Sequence, residues 1–264
     1  MIDTHCHLDG PAFDSDRDAV LARARAAGVT DIVVPGVAPD GWLGLAGLAG
    51  ASPGVHAALG IHPQALLELA PADDDRHLAA LDAVLARGGG VAVGECGLDA
   101  PTAARGAGLD RQEAVLRGHL ALARKHGLPV ILHCLRAHEP MLTLLEREGV
   151  PAAGGVIHSF SGSAEQAGPF AALGLHFSFA GPLTYERARK PHAAARAVPL
   201  DRLLVETDAP DQTPRPHRGA RNEPAHLGLV VSALAEAIGL PAAETGSLTA
   251  GNARRLFRLA ETVP

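Results

Sequence analysis

Fourteen of the 264 residues are histidine, and where they fall frames the rest of the sequence. His5 and His7 flank Cys6 at the end of a short apolar run. Residues i and i+2 of a strand share a face, so both imidazoles can reach one ion while Cys6 points away. An H-x-H pair alone is weak evidence. It gains weight because further apolar runs end in or beside Glu95, His133, His158 and Asp208. Four imidazoles and two carboxylates exceed the three protein ligands and one water of a tetrahedral catalytic zinc. They suit two divalent ions that share a bridging carboxylate, activate a water and offset charge on the centre it attacks. Imidazole-rich ligation favours Zn, Fe, Co, Ni or Mn over the oxygen-preferring Mg, and the sequence leaves the identity among Zn, Mn, Mg, Co and Ni open.

Such residues lie far apart in the chain, so the elements around them must bring them together. Eight short apolar runs cover 2–5, 31–36, 55–60, 91–95, 129–133, 156–160, 175–180 and 203–208. Their near-continuous apolar character predicts strands of a parallel sheet covered on both faces. Helical patterns lie between them, over 15–27, 79–87 and 110–126, with a last one over 241–259. Leu116, Leu120 and Ala123 mark one buried helical face, and Gly127 ends that helix. Asp110-Arg111-Gln112-Glu113 reads as a capping box with Asp in the cap position. Strands alternating with helices predict an α/β fold, a TIM-like (β/α)8 barrel as a single domain over 1–264, with an open doubly wound sheet as the alternative. In a barrel the C-terminal strand ends meet at one mouth, which gathers all six candidate ligands.

Composition narrows the function. With 47% hydrophobic and 20% charged residues the chain can bury a core, which excludes a mainly disordered state. A net charge of −6 argues against a whole-surface grip on long duplex. Aromatics are 3%, including one Trp (Trp42) and one Tyr (Tyr185), which leaves little for an extended stacking platform. Cys6, Cys96 and Cys134 are odd in number and lack CxxC spacing, so they read as small buried residues in a reducing compartment. Trp42, Phe177 and Phe179 read as core. No long apolar run and no leader-like start are present, so the expectation is a cytoplasmic protein without a membrane partner.

Seven stretches, taken together, resemble the TatD family of metal-dependent deoxyribonucleases, part of the amidohydrolase superfamily. They are Asp3-Thr4-His5-Cys6-His7-Leu8-Asp9, Gly60-Ile61-His62-Pro63, Gly94-Glu95-Cys96-Gly97-Leu98-Asp99, Leu128-Pro129-Val130-Ile131-Leu132-His133, His158-Ser159-Phe160-Ser161-Gly162-Ser163, Glu206-Thr207-Asp208-Ala209-Pro210 and Arg221-Asn222-Glu223-Pro224. The match runs in order over nearly the whole chain. The resemblance implies a barrel with a two-metal site. It assigns His5, His7 and Asp208 to one ion, His133 and His158 to the other, and Glu95 as the bridge. Asp208 would also serve as general base. Two departures stand out: Asp99-Ala100-Pro101 replaces tyrosines common in the family after the fourth-strand motif, and Leu135 stands where Arg is usual, with Arg136 next.

Phosphate and carbonyl substrates both fit such a centre. Arg136, Arg187, Arg189, Lys190, Arg215, His217, Arg218 and Arg221 follow the fifth, seventh and eighth strands, and as a group they favour phosphodiesters. His62, Arg136, Arg218 and Arg221 are the expected substrate contacts; His62 would touch a phosphate or position a ligand. Glu206, two residues before Asp208, would face inward and orient a ligand histidine. The expected activity is a deoxyribonuclease acting on single-stranded DNA ends or short oligonucleotides, with no obligate protein partner. The alternative is hydrolysis of a small-molecule ester, amide or lactone at the same site.

Overall fold

The computed structural model describes residues 1–260. Its strands are β1 (Ile2–Asp3), β2 (Asp31–Pro35), β3 (Val55–Leu59), β4 (Ala92–Asp99), β5 (Val130–Leu135), β6 (Gly155–Ile157), β7 (His176–Phe179) and β8 (Leu203–Val205). The helices are α1 (Arg17–Ala26), α2 (Trp42–Ala51), α3 (Asp74–Leu85), α4 (Ala100–Ala104), α5 (Leu109–His126), α6 (His138–Glu148), α7 (Ala164–Ala172), α8 (Arg189–Ala197), α9 (Leu227–Ile238) and α10 (Ala242–Phe257). All strand pairs are parallel and follow chain order from β1 to β8. The Thr4 N–H donates to Val205 O at 3.2 Å and the Asp208 N–H to His5 O at 2.9 Å, which joins the last strand to the first. This is the TIM-like barrel; a doubly wound sheet would break chain order at its switch point.

Strand alternation builds two apolar layers. Val33, Ile131, Val156 and Leu204 pack inside with Ala253, Leu256 and Phe257 of α10, which closes the N-terminal end of the barrel. Their neighbours Ile32, Val34, Val130, Leu132, Leu203 and Val205 face outward into the layer shared with the helices. Period-2 geometry then carries His133 and Glu206 inward, two residues beyond Ile131 and Leu204. Trp42 anchors α2 by donating to Gly60 O at 2.8 Å. All three cysteines are buried and free, and Phe177 and Phe179 are core.

Several boundaries differ from the sequence expectation. β1, β6 and β8 stop short, so His5, His158 and Asp208 sit on the loops just past their strands. β4 instead runs on to Asp99, and Glu95 lies within it. Val93 pairs with Val130 and Cys96 with Leu132, so β4 spends one more residue than β5 between these pairs. Without that bulge, Glu95 would share the outward face of Val93; with it, Cys96 and Leu98 turn outward and Glu95 inward.

α3 begins before 79, at Asp74. The capping box at Asp110 does not form: α5 starts at Leu109 behind Gly108 without a side-chain cap. Gln112 is buried and bonds to β4 instead, accepting from the Asp99 N–H at 2.7 Å and donating to Asp99 O at 3.1 Å. A capping box occurs at Ser163 and Gln166 of α7. Gly127 ends α5 in the left-handed region, as expected. No single helix among the described residues is long and apolar enough to cross a membrane.

Candidate metal centre

Asp3 sets the seam on which half of the centre is built. Its carboxylate accepts from the Thr207 N–H at 2.9 Å and the Thr207 hydroxyl at 2.6 Å, locking the end of β1 to the turn after β8. His5 and Asp208 are thereby brought face to face. His5 Nε2 and His7 Nε2 lie 3.4 Å apart, and each is 3.6 Å from Asp208 Oδ1. Glu95 Oε2 sits 3.2 Å from His5 Nε2 and 3.7 Å from His7 Nε2.

The other oxygen of Glu95 faces a second group. Glu95 Oε1 lies 2.7 Å from His158 Nε2, 2.8 Å from His133 Nδ1 and 3.1 Å from His62 Nε2. The six candidate ligands therefore converge around one carboxylate whose two oxygens point into two donor groups. Sets of donors close enough to share an ion include His5–His7–Asp208 and His62–Glu95–His133.

The donor set suits cations. His133 Nε2 lies 3.1 Å from Asp99 Oδ2, and His158 Nδ1 lies 3.3 Å from Glu206 Oε1. Each carboxylate holds one ring N–H and leaves the opposite nitrogen with its lone pair aimed at the centre. Ser178 donates to the other oxygen of Glu206 and fixes it in turn. Glu95 is buried, yet its Oε2 has no hydrogen bond, a costly arrangement for a carboxylate unless a positive charge faces it.

Burial lowers His158 and His133, but Glu95 with Glu206 around the first, and Asp99 with Glu95 around the second, outweigh it and raise both above the usual imidazole value, so a bound cation would have to displace their protons. Burial pushes the Glu95 carboxyl up, but His158, His62, His5 and the bond from His133 outweigh it and hold the group well below the usual carboxylate range. Burial drives His7 down to about 3, so its ring is neutral and can act as a ligand. Burial raises Asp208 to about 6, against the pull of His5 and His158.

The centre opens into a cavity of about 400 Å³ lined by His133, His158 and Asp208 together with Leu135, Pro182 and Pro191. Gln212 reaches over from the loop after β8, donates to Asp208 Oδ2 and bonds to Ser159 Oγ. Arg136 lines a neighbouring cleft with His138 and Lys190. Arg218 lies in another, its guanidinium 4.6 Å above the Tyr185 ring.

Arg221 is engaged within the fold. Its guanidinium bonds both oxygens of Asp16 at 2.8 Å and Ala12 O at 2.6 Å, and lies 4.8 Å from the Phe13 ring centroid. These bonds make it a strut between the loop after β8 and the segment before α1.

Asp99 and Gln212 escaped the sequence reading. Asp99 was findable, because counting by twos from an inward Glu95 reaches Gly97 and then Asp99. Gln212 sits on an irregular loop whose path no periodicity announces.

The family model described as TatD related DNase matches residues 2–258. YabD, a metal-dependent hydrolase of Bacillus subtilis, is 38% identical over 98% of this chain and 99% of its own. The 3'-5' ssDNA/RNA exonuclease TatD of Pectobacterium carotovorum is 35% identical over 98% of this chain and 100% of its own. The crystal structure of the TatD homologue YjjV from Escherichia coli superposes with a TM-score of 0.91 at 38% identity, covering 98% of both chains. With family match, sequence identity and barrel geometry in agreement over the same span, this chain belongs to the TatD-related DNase family.

Proposed function

We propose that the protein is a divalent-metal-dependent exonuclease that hydrolyses phosphodiester bonds at single-stranded DNA ends and in short oligonucleotides. The observation that carries this reading is Glu95, whose two oxygens face two separate donor groups that include the cavity-lining His133, His158 and Asp208. In this reading His5, His7 and Asp208 hold one ion, His133 and His158 hold the other, and Glu95 is shared. When bound, such ions activate a water and draw negative charge from the phosphoryl oxygens. Zn, Mn, Mg, Co and Ni are the ions to compare. The names of the relatives, metal-dependent hydrolase and 3'-5' ssDNA/RNA exonuclease, support the same chemistry.

The chain's own groups divide the remaining work. Asp208 takes the proton of the attacking water and returns it to the leaving oxygen. The Gln212 amide holds one Asp208 oxygen, leaving Oδ1 toward His5 and His7. His62 Nδ1 accepts from the Gln64 N–H at 3.0 Å, so in the neutral ring Nε2 carries the proton. That nitrogen is therefore a donor, suited to steadying Glu95 or a phosphoryl oxygen rather than to ligating a metal. Arg136 and Arg218 lie in clefts that border the cavity and bring positive charge beside it. These basic flanks favour a phosphodiester over a neutral ester, amide or lactone. We place the enzyme in the cytoplasm, where the three free thiols stay reduced.

Activity on short oligonucleotides, compared with a panel of esters, anilides and lactones, tests the reading. Protein with measured metal content should cleave the oligonucleotides by the larger factor in kcat/KM. A preference for the carbonyl panel would overturn it.

A further inference from the structure

We infer that the cleft beyond Pro182 and Pro191 is a second nucleotide subsite, in which the Tyr185–Arg218 pair stacks a base and Arg187 meets a flanking phosphate. The inference rests on the phosphodiester reading and specifies where the strand runs after it leaves the centre. Pro182 and Pro191 line both the metal-site cavity and this cleft of about 610 Å³, so the two spaces share a wall. A strand with one phosphate at the centre would cross that wall to enter the cleft.

The cleft carries the two features a nucleotide needs. One is a fixed flat surface. The Tyr185 hydroxyl donates to Thr213 O at 3.2 Å, which holds the ring, and Arg218 lies over its face at 4.6 Å. The other is positive charge. Arg215 is paired with Glu186 at 2.5 Å, whereas Arg187 and Arg218 have no carboxylate partner among the described residues. The Arg215 N–H donates to Thr184 Oγ1 at 2.9 Å, tying the arm that bears Arg218 to the segment that bears Tyr185. A simple anion would use the charge alone; a nucleotide uses the charge and the plane. Stacking on an aromatic ring or a guanidinium tolerates any base, which suits an enzyme that shortens strands regardless of sequence.

Tyr185 is the one tyrosine in the chain, so 3-fluorotyrosine labelling gives a single fluorine resonance that reports on this cleft. The Asp208→Asn variant, loaded with the diamagnetic ions zinc or magnesium, keeps the strand from being consumed. A DNA tetranucleotide should shift the resonance saturably, and orthophosphate or dimethyl phosphate at equal concentration should not. In kinetics, Arg218→Ala and the exposed Arg187→Ala should lower the ratio of kcat/KM for the tetranucleotide to that for bis(p-nitrophenyl) phosphate by about tenfold, chiefly through KM. An unchanged ratio together with an unmoved resonance, in protein that still cleaves the tetranucleotide, would overturn the subsite and spare the phosphodiester reading. A shifted resonance in protein whose wild type cleaves neither substrate would keep the binding cleft and overturn that reading instead.

Discussion

Asp99 and Glu206 act on the centre through the imidazoles they hold, so their loss should appear first in metal binding. Asp99→Ala and Glu206→Gln are each expected to weaken metal affinity by roughly 10–100-fold, with the far-ultraviolet circular dichroism unchanged. Competition with a chromophoric chelator measures this, and wild-type affinity in both variants would refute the orienting roles. His119 works one step further out. Its Nε2 accepts from the Ile61 N–H at 2.9 Å, fixing the turn that presents His62, and burial lowers its pKa from 6.5 to about 4. The unfolded chain takes up this proton near pH 6.5 while the folded chain resists it. Stability from this group is therefore complete above pH 6.5 and falls as pH drops toward 4, by roughly 3 kcal/mol. Urea denaturation between these limits should fall less steeply for His119→Gln than for the wild type; parallel curves would refute the assignment. At this scale the convergence of the candidate ligands was legible because strand ends and H-x-H spacing are local signals. The roles of Gln212 and Arg221 were not, because their partners, Asp208 with Ser159 and Asp16 with Ala12, are chosen by the path of an irregular loop.

The element that does most to shape the site is β4. Its bulge turns Glu95 into the barrel, and Gly97 then lets the strand pass β5 at a distance no side chain permits. Gly97 has φ 151°, and a Cβ there would stand 2.0 Å from His133 O. Gly97→Ala must push β4 away from His133, and we expect a loss of about 2–4 kcal/mol together with weakened metal binding. Thermal denaturation and chelator competition would show both; a variant with the wild-type midpoint would contradict the close-approach argument. All eight strands were legible from apolar runs, since a parallel barrel strand is buried on both faces. The bulge was not, because an extra residue leaves the apolar pattern of Val91–Leu98 nearly unchanged. The use of Gln112 was equally hidden: a glutamine near a helix start looks the same whether it caps its own helix or reaches across to Asp99.

Across the whole molecule, a net charge of −6 coexists with arginine-bearing clefts beside the centre. The acidic bulk disfavours long-range capture of duplex, while the clefts supply short-range attraction for a strand end. The KM for a tetranucleotide should therefore rise as salt increases from about 50 to about 200 mM, and more steeply than the KM for bis(p-nitrophenyl) phosphate, which offers a single phosphate. Equal slopes would mean that the clefts do not touch the strand. The architecture was legible from strand number and order, and the basic mouth from where the arginines follow the strands. The division of that mouth into separate clefts depends on how the loops after β5, β7 and β8 fold against one another. The proposed hydrolysis at strand ends rests on Glu95 and the five candidate ligands around it, His5, His7, His133, His158 and Asp208. It is tested most directly by single-stranded DNA labelled at the 3' or the 5' end, incubated with wild type and Asp208→Ala across Mg, Mn, Co, Ni and Zn. The expected result is metal-dependent stepwise shortening by the wild type and a loss of at least ~10³-fold in the variant, with its fold intact. No cleavage by metal-loaded wild type with any ion, or equal cleavage by the two proteins, would contradict it.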